Sequence, residues 1–337
     1  MTCVAVPRDH HRVRVRRTAL ATSLYTPQSP LPAFEQSLPP PDLSRWLTGN
    51  DGIPGVITQR SGHAGPTVVI VSLVHGNEYA GATALDRLLR SGLTPPVGTL
   101  SVIFANLAAF ARFDPENPVA SRFVDEDLNR VWSAERLHSN AQSCELDRAR
   151  ELAPLIERAD ILLDLHSMLW DSEPLLLAPN TESSLTFAAA LADPDGPDLI
   201  VTDLGHRGGN RLIEHPRFTT HGGGCACLLE AGGHWQRRTA DTAEAVTMKA
   251  LEFAWGQRPA RRVMLRRAIV TDNVVAQSAN FAFTESYRGG AFIRHGGTII
   301  AQDGPDDICT PYDDCLLIMP NHRPARGHMA VRLAKLI

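Results

Sequence analysis

The chain has 337 residues, 43% of them hydrophobic, and a formal net charge of −4 at pH 7. This weakly acidic balance offers no electrostatic attraction for nucleic acid or for an anionic membrane, so neither is expected as a partner. The length allows one large domain and a smaller one, each with its own core. The six cysteines are scattered and form no dense framework, which favours a reducing, cytoplasmic setting.

Residues 1–45 are predicted to be an N-terminal extension. Its first part is basic but lacks the continuous apolar segment of a signal peptide. Residues 26–43 are rich in proline, which is typical of an extended linker or of an arm that lies on the surface. No later apolar run has the length of a membrane-spanning helix, so no membrane association is expected.

Residues 46–258 alternate short apolar runs with helical patterns. Strands are predicted over 67–74, 100–105, 161–165, 199–202 and 226–229, and helices over 80–90, 143–159, 183–192 and 240–255. Pro154 lies within the second of these helices and should kink or split it. The alternation of helices with strands that are apolar on both faces indicates an α/β fold with a largely parallel sheet.

Beyond residue 258 the helical periodicity disappears. Short apolar runs separated by glycine and Pro-Asp predict strands over 263–270, 281–284, 291–293, 298–301, 315–319 and 329–333. Residues 259–337 are therefore predicted to form a small β-rich C-terminal domain. This leaves 46–258 as the domain with the candidate chemistry.

Ionisable residues follow several predicted strands of the larger domain. His75 and Glu78, in the sequence HGNE, could reach one metal ion if the two residues between them turn tightly. His166 ends another predicted strand and could complete the set, because a catalytic zinc keeps three imidazole or carboxylate ligands and a water. Glu230 ends a further strand, where a carboxylate could take a proton from water activated by the metal.

Each of these signals is weak alone. A single His-x-x-Glu is common by chance, and the same residues could form a capped turn between a strand and a helix. Polar sites at the carboxyl ends of several strands in one α/β domain favour a metal-dependent active site instead. The sequence contains neither the G-x-S-x-G nucleophile elbow nor a glycine-rich phosphate loop.

The ordered set His75-Gly-Asn-Glu78, Asp127-Leu-Asn129-Arg130, Asp164-Leu-His166 and Glu230 resembles the succinylglutamate desuccinylase/aspartoacylase family. That family is related to the zinc carboxypeptidases. The resemblance runs from about residue 60 to the end and includes the segments GGTIIAQDG (296–304) and LLIMPN (316–321). It implies a zinc-carboxypeptidase-like fold, with a mixed, mostly parallel sheet flanked by helices and a smaller β-rich C-terminal domain.

The resemblance also implies roles for individual residues. One Zn²⁺ per chain would be held by His75, Glu78 and His166. Glu230 would be the general base, and Arg122 would polarise the scissile carbonyl, as a guanidinium near a developing oxyanion can.

Asn129 and Arg130 would hold the substrate carboxylate, since a guanidinium fork suits that group. Asp127 is expected to cap its local turn or to orient an arginine. Asp164, two residues before His166, is expected either to support that ligand or to have a structural role.

One departure from the family pattern bears on the substrate. Relatives selective for acidic acyl groups carry an arginine about ten residues before the catalytic glutamate, whereas residues 218–224 here contain none. His221 would then belong to a roomier, less positive pocket, unless Arg211 or Arg217 replaces the missing arginine. Tyr312 is a further candidate for substrate binding.

The sequence therefore predicts a zinc-dependent amidohydrolase that cleaves the amide of an N-acyl amino acid, with an acetyl or succinyl-like acyl group. Its class would be the hydrolases of carbon–nitrogen bonds other than peptide bonds. The alternatives are a carboxypeptidase acting on short peptides and a catalytically silent metal-binding protein. Self-association into a homo-oligomer is left open.

Overall fold

The structure is a computed structural model that describes residues 15–17, 34–206, 208–219, 223–257 and 263–337. The described residues divide into two compact units, one within Phe34–Ala268 and one that comprises residues 15–17 and Ile269–Ile337. The three-part division at residues 45 and 258 stays a prediction. None of the helices in the described part of the chain is long and apolar enough to cross a membrane.

The described strands are numbered in chain order. They are β1 (Val15–Arg17), β2 (Val56–Arg60), β3 (Thr67–Ser72), β4 (Thr99–Phe104), β5 (Ile161–Met168), β6 (Leu175–Leu177), β7 (Leu199–Thr202), β8 (Cys225–Gly233), β9 (Arg266–Val275), β10 (Phe281–Phe283), β11 (Phe292–Ile293), β12 (Ile299–Asp303), β13 (Asp306–Cys309), β14 (Cys315–Ile318) and β15 (Met329–Leu336). Most of them coincide within a few residues with predicted strands.

The α-helices follow the same order. They are α1 (Ala80–Arg90), α2 (Leu107–Phe110), α3 (Ala134–Leu137), α4 (Cys144–Glu157), α5 (Glu182–Leu191), α6 (Pro216–Thr219) and α7 (Arg237–Ala254). Short 3-10 turns are formed by Ser44–Trp46, Leu128–Arg130 and Leu212–Glu214.

The unit Phe34–Ala268 contains a mixed, mainly parallel sheet in the order β7-β6-β8-β5-β3-β4-β2. The pairs β3/β4, β3/β5, β5/β8 and β6/β7 are parallel, whereas β2/β4 and β6/β8 are antiparallel. Side chains of α1, α5 and α7 pack with the central strands in one core. Every residue of β5 is buried, as expected of a strand covered on both faces. The predicted fold class is confirmed.

Two strands extend further than the sequence predicted, and the extensions contain candidate site residues. β5 continues through His166 to Met168, and β8 continues through Glu230 to Gly233. In the parallel register His166 is directly opposite Glu230. Neighbouring residues in register share a face of a sheet, so both side chains project from the same side at adjacent positions.

Helix α4 continues through Pro154, so of the predicted kink or split the split does not occur. The proline lies in the last turn of the helix, three residues before its final residue, Glu157. There the missing N–H removes a single backbone hydrogen bond and leaves the rest of the helix intact.

Residues 34–45, which the sequence placed in the extension, pack on the core of the larger unit. Leu38 and Leu43 are buried in it. The hydroxyl of Tyr79 donates a 2.8 Å hydrogen bond to the backbone oxygen of Leu38. The ring of Phe34 meets Trp235 edge-on, with 5.5 Å between centroids. Apolar side chains spaced among the prolines therefore add this segment to the fold.

The smaller unit is β-rich, as predicted. One antiparallel sheet has the order β1-β13-β12-β10. β14 also pairs antiparallel with β11 and with β15. Its core is apolar and includes Phe281, Phe283, Ile300 and Val331.

Replacing Leu38 with alanine should destabilise the larger unit. We expect the free energy of unfolding to fall by about 2–5 kcal/mol, because a buried leucine is truncated. All five tryptophans lie between residues 46 and 255, so tryptophan fluorescence during denaturant unfolding reports this unit. Leu47→Ala, at a side chain that is 47% exposed, is the matched control. Equal midpoints for the two variants would mean that the segment does not contribute to the core.

Candidate metal centre and active site

The sequence HGNE forms a tight turn between β3 and α1. The backbone N–H of Glu78 donates to the oxygen of His75 at 3.1 Å. A Cβ at Gly76 would lie 2.4 Å from the carbonyl carbon of Ala109 and 2.5 Å from the backbone oxygen of Ser121. Glycine is therefore required for the surrounding loops to approach this closely. The turn brings His75 Nδ1 within 2.8 Å of Glu78 Oε1.

His75, Glu78 and His166 form a buried cluster, and one candidate ligand atom from each lies within 4.8 Å of the others. His166 Nδ1 is 3.1 Å from Glu78 Oε2. Two imidazole nitrogens and a carboxylate are a donor set that zinc accepts in catalytic sites, with room for further ligands. The three residues therefore fit a divalent metal ion.

Each histidine of the cluster also binds a second carboxylate through its other ring nitrogen. His75 Nε2–H donates to Asp127 Oδ1 at 2.8 Å, and His166 Nε2–H donates to Asp164 Oδ2 at 2.9 Å. These carboxylates favour the tautomer that is protonated on Nε2, which leaves Nδ1 free to bind a metal. In both rings it is Nδ1 that faces Glu78.

The cluster shifts the pKa values of its own members. Burial would raise the pKa of Glu78, but the charges and hydrogen bonds of the two histidines outweigh it and hold that pKa well below the ordinary value. Burial would lower the pKa of His166, but Asp164 and Glu78 raise it well above the ordinary value. The site therefore keeps Glu78 ionised, as a metal ligand must be, and a metal ion that binds His166 Nδ1 would displace the proton held between that nitrogen and Glu78.

Arg122 lies beside the cluster. Its Nη1 donates to Glu78 Oε1 at 3.0 Å and its Nη2 to Asp127 Oδ2 at 3.3 Å. Burial would lower the pKa of this guanidinium, but the charges of Asp127, Glu78 and Glu230 keep it raised. The side chain is still 37% exposed, so it remains accessible from outside the cluster.

Asn129 and Arg130 belong to the 3-10 turn Leu128–Arg130, whose start is capped by Asp127 through a 2.8 Å hydrogen bond from the Asn129 N–H. Asn129 Oδ1 accepts from the Leu212 N–H at 2.8 Å. That bond directs the Nδ2 donor towards His166, 3.5 Å from its Nε2. Arg130 donates from Nη1 to the oxygen of Asn129 at 2.6 Å.

Glu145 organises the loop that contains Arg122, a role that the sequence analysis does not predict. Its buried carboxylate accepts the backbone N–H groups of Val124, Asp125 and Glu126 at 2.6, 3.0 and 3.2 Å. It also accepts from Asn106 Nδ2 at 3.0 Å. In the sequence it is an acidic residue in the first turn of a helix, which is a common capping pattern.

Ser167 and His234 were also missed as site residues. The Ser167 N–H donates to Glu78 Oε2 at 3.0 Å, and its hydroxyl lies 2.7 Å from His234 Nδ1. Burial lowers the pKa of His234 to about 4, so the ring is neutral near pH 7. Ser167, in β5, therefore contacts both Glu78 and His234, which directly follows β8.

Arg211, Arg217 and Tyr312 form hydrogen bonds with groups outside this cluster. Arg211 is buried between Asp203 and Glu214. Arg217 donates to the backbone oxygen of Ala159 at 2.8 Å and to Asp160 Oδ1 at 3.0 Å. Tyr312 belongs to the smaller unit, where its hydroxyl is 2.6 Å from Thr271 Oγ1. Its role in substrate binding stays a prediction, and His221 lies outside the described residues.

Residues 64–254 match the family model described as the succinylglutamate desuccinylase/aspartoacylase catalytic domain. A succinylglutamate desuccinylase from Burkholderia orbicola (strain MC0-3) is 28% identical over 302 residues, which cover 82% of this chain and 83% of that protein. An N-acyl-aromatic-L-amino acid amidohydrolase (carboxylate-forming) from Xenopus laevis is 33% identical over 109 residues, 30% of this chain and 33% of that protein.

The fold is also similar to that of a solved succinylglutamate desuccinylase from Vibrio cholerae. The TM-score is 0.65 at 17% identity, and the match covers 84% of this chain and 86% of the other. At this identity the likeness supports the fold alone.

Replacing Asp164 with asparagine should weaken metal binding. We expect the affinity for Zn²⁺ to fall about 10–100-fold, because an amide no longer fixes the charge and tautomer of His166. Competition with a chromogenic chelator measures this affinity in the metal-free protein. Asp147→Asn, which removes the same charge from an exposed helical side chain, is the control. An unchanged affinity in the Asp164 variant would exclude Asp164 from supporting the ligand.

Proposed function

Since the chain belongs to the succinylglutamate desuccinylase/aspartoacylase family of acyl-amino-acid deacylases, we propose that it hydrolyses the amide bond of an N-acyl amino acid. The products would be a carboxylate and a free amino acid. The observation that supports this most directly is the buried group of His75, Glu78 and His166 with the Arg122 guanidinium beside it.

We propose that His75, Glu78 and His166 hold one Zn²⁺ per chain, with the two histidines binding through Nδ1. When bound, such an ion polarises a carbonyl group and brings the pKa of a bound water close to neutral. Asp127 and Asp164 would keep the rings oriented through their hydrogen bonds to Nε2. Ser167 would keep Glu78 in place through its backbone N–H.

Glu230 is the proposed general base. It is opposite His166 on the neighbouring strand and projects from the same face of the sheet. Its carboxylate would accept a proton from the attacking water as the oxygen bonds to the carbonyl carbon. It would then give that proton to the leaving nitrogen as the carbon–nitrogen bond breaks, so that a free amine departs.

Arg122 would stabilise the negative charge that develops on the carbonyl oxygen. Its charge is fixed by Glu78 and Asp127, and a partly exposed guanidinium can still approach a substrate. A donor placed before the reaction costs no reorganisation when the charge forms.

Asn129 and Arg130 would hold the α-carboxylate of the substrate. The Leu212 N–H fixes Asn129 Oδ1, so the amide presents its Nδ2 donor near His166. Arg130 contributes a charged donor from the same turn. Binding the carboxylate at this position would hold the scissile amide in a fixed orientation relative to the metal and Glu230. Such orientation lowers the entropic part of the reaction barrier.

We propose an acyl group of acetyl or succinyl type. The Burkholderia and Xenopus relatives are both named as enzymes that remove an acyl group from an amino acid, with different substrates. A cytoplasmic location and self-association stay predictions. A carboxypeptidase would use similar residues, and release of C-terminal residues from peptides would distinguish it.

Replacing Glu230 with glutamine should abolish most turnover while leaving metal binding intact. We expect kcat to fall at least about 100-fold, since an amide cannot accept the proton of the attacking water. The measurement is free-amine release from N-acetyl and N-succinyl amino acids by zinc-loaded protein, together with the metal content. Glu135→Gln, on an exposed helical position, is the matched control. Near-normal turnover in the Glu230 variant would remove this residue from the mechanism.

A further inference from the structure

A pocket of about 410 Å³ lies within the unit Phe34–Ala268. It is bounded by the segments that follow β6 and β7 and by the 3-10 turn Leu212–Glu214. Its volume is in the range of small-molecule sites and is sufficient for an amino-acid side chain or an acyl group.

Arg211 lines this pocket and is 5% exposed. Its Nη2 donates to Asp203 Oδ1 and to Glu214 Oε1, both at 2.5 Å. Its backbone N–H donates to Glu214 Oε2 at 2.7 Å. Burial would lower the pKa of Arg211, but the charge of Asp203 and its bonds with Glu214 keep that pKa raised, so the side chain stays a cation.

The remaining donors of this guanidinium are not used by the described part of the chain. Nε and Nη1 of Arg211 are buried and have no hydrogen-bond partner among the described residues. A buried N–H without an acceptor costs free energy, and such groups are rare in folded proteins. Because Arg211 also lines the pocket, a ligand oxygen bound there would satisfy these donors once the guanidinium turned them towards it.

The charged residues that line the pocket indicate which kind of ligand oxygen it would accept. Asp203 and Glu214 supply two negative charges against the one positive charge of Arg211. Ala178, Pro179 and Ile213 supply apolar walls. A carboxylate would meet a net negative surrounding, whereas a neutral carbonyl oxygen could accept from Nε and Nη1 without repulsion.

The pocket is connected to the proposed carboxylate clamp. Leu212, next to Arg211, donates its N–H to Asn129 Oδ1 at 2.8 Å. The N–H of Trp132 donates to the oxygen of Asn210 at 3.3 Å. Burial lowers the pKa of Arg130, and the charges of Arg122 and Arg211 lower it further.

Building on the proposed function, we propose that this pocket is the specificity subsite and takes an uncharged, hydrogen-bond-accepting part of the substrate, such as a carboxamide. Arg211 would donate to its carbonyl oxygen. The sequence left Arg211 as a replacement for the arginine that selects acidic groups, but its two carboxylate partners argue against that role. The accepting group could belong to the amino acid or to the acyl moiety.

Two matched pairs of substrates test the inference and distinguish these sources. N-acetylglutamine against N-acetylglutamate varies the amino-acid side chain. N-succinamoylalanine against N-succinylalanine varies the acyl end. We expect the amide to exceed the carboxylate in kcat/KM by at least about tenfold in one pair, because only the carboxylate meets like charges.

The variant Asp203→Asn sharpens the test. It removes one negative charge from the pocket, so the preference for the amide should fall severalfold. Asp241→Asn removes the same charge from an exposed side chain of α7 and should leave the preference unchanged.

Two results would overturn the inference and leave the proposed function standing. One is hydrolysis with no preference for the amide in either pair. The other is a preference for the amide that is as strong in Asp203→Asn as in the unchanged protein. No hydrolysis of any of the four compounds would overturn both.

Discussion

The candidate site depends on the close contact of backbones at Gly76. The turn that joins the two first ligands touches the backbone of Ala109 and of Ser121, at distances that no side chain at position 76 would allow. The Gly76 N–H also donates to the oxygen of Arg122 at 3.1 Å. One contact therefore sets the position of the proposed metal ligands and of the proposed oxyanion donor together. Through the same loop it is linked to Glu145, whose carboxylate fixes the following three backbone N–H groups.

The site concentrates charge that folding alone would not favour. Glu78 and Asp164 are buried carboxylates, and Asp127 is only slightly exposed. Burying ionised groups is costly unless each is paired and hydrogen-bonded, and these are paired through two histidines and two arginines. A divalent cation among them would add positive charge where carboxylates are densest. Binding it to the folded state would also stabilise that state by mass action. The proposed metal ion would therefore offset the cost of burying these carboxylates together.

The spacing of apolar residues in the sequence was sufficient to predict the helix and strands next to the proposed metal ligands. The predicted bounds of helix 80–90 agree with α1, and the strands that end near His166 and Glu230 were found from their apolar runs. The features that the sequence did not predict are those fixed by tertiary contacts. Strand β6 has three residues, too few for a periodic pattern, and β2 is a five-residue strand at the edge of the sheet beside β4. Leu38 is buried because it meets a core more than 30 residues away in sequence. Ser167 and His234 meet only when β5 and β8 pair.

The proposed hydrolytic residues and the proposed specificity residues differ in the same way, since the former lie in or near predicted strands and the latter depend on tertiary contacts. The proposed metal ligands and Glu230 lie in β5, in β8 or in the turn that follows β3, and these three strands are neighbours in one sheet. Arg211 lies in a connection after β7, and its chemical meaning is set by neighbours. A buried arginine with free donors and no counter-ion would select an anion, whereas Arg211 with two carboxylates should select a neutral acceptor. Changing Asp203 or Glu214 would alter that preference without moving a strand. Specificity in this fold can therefore change while the proposed hydrolytic residues stay in place.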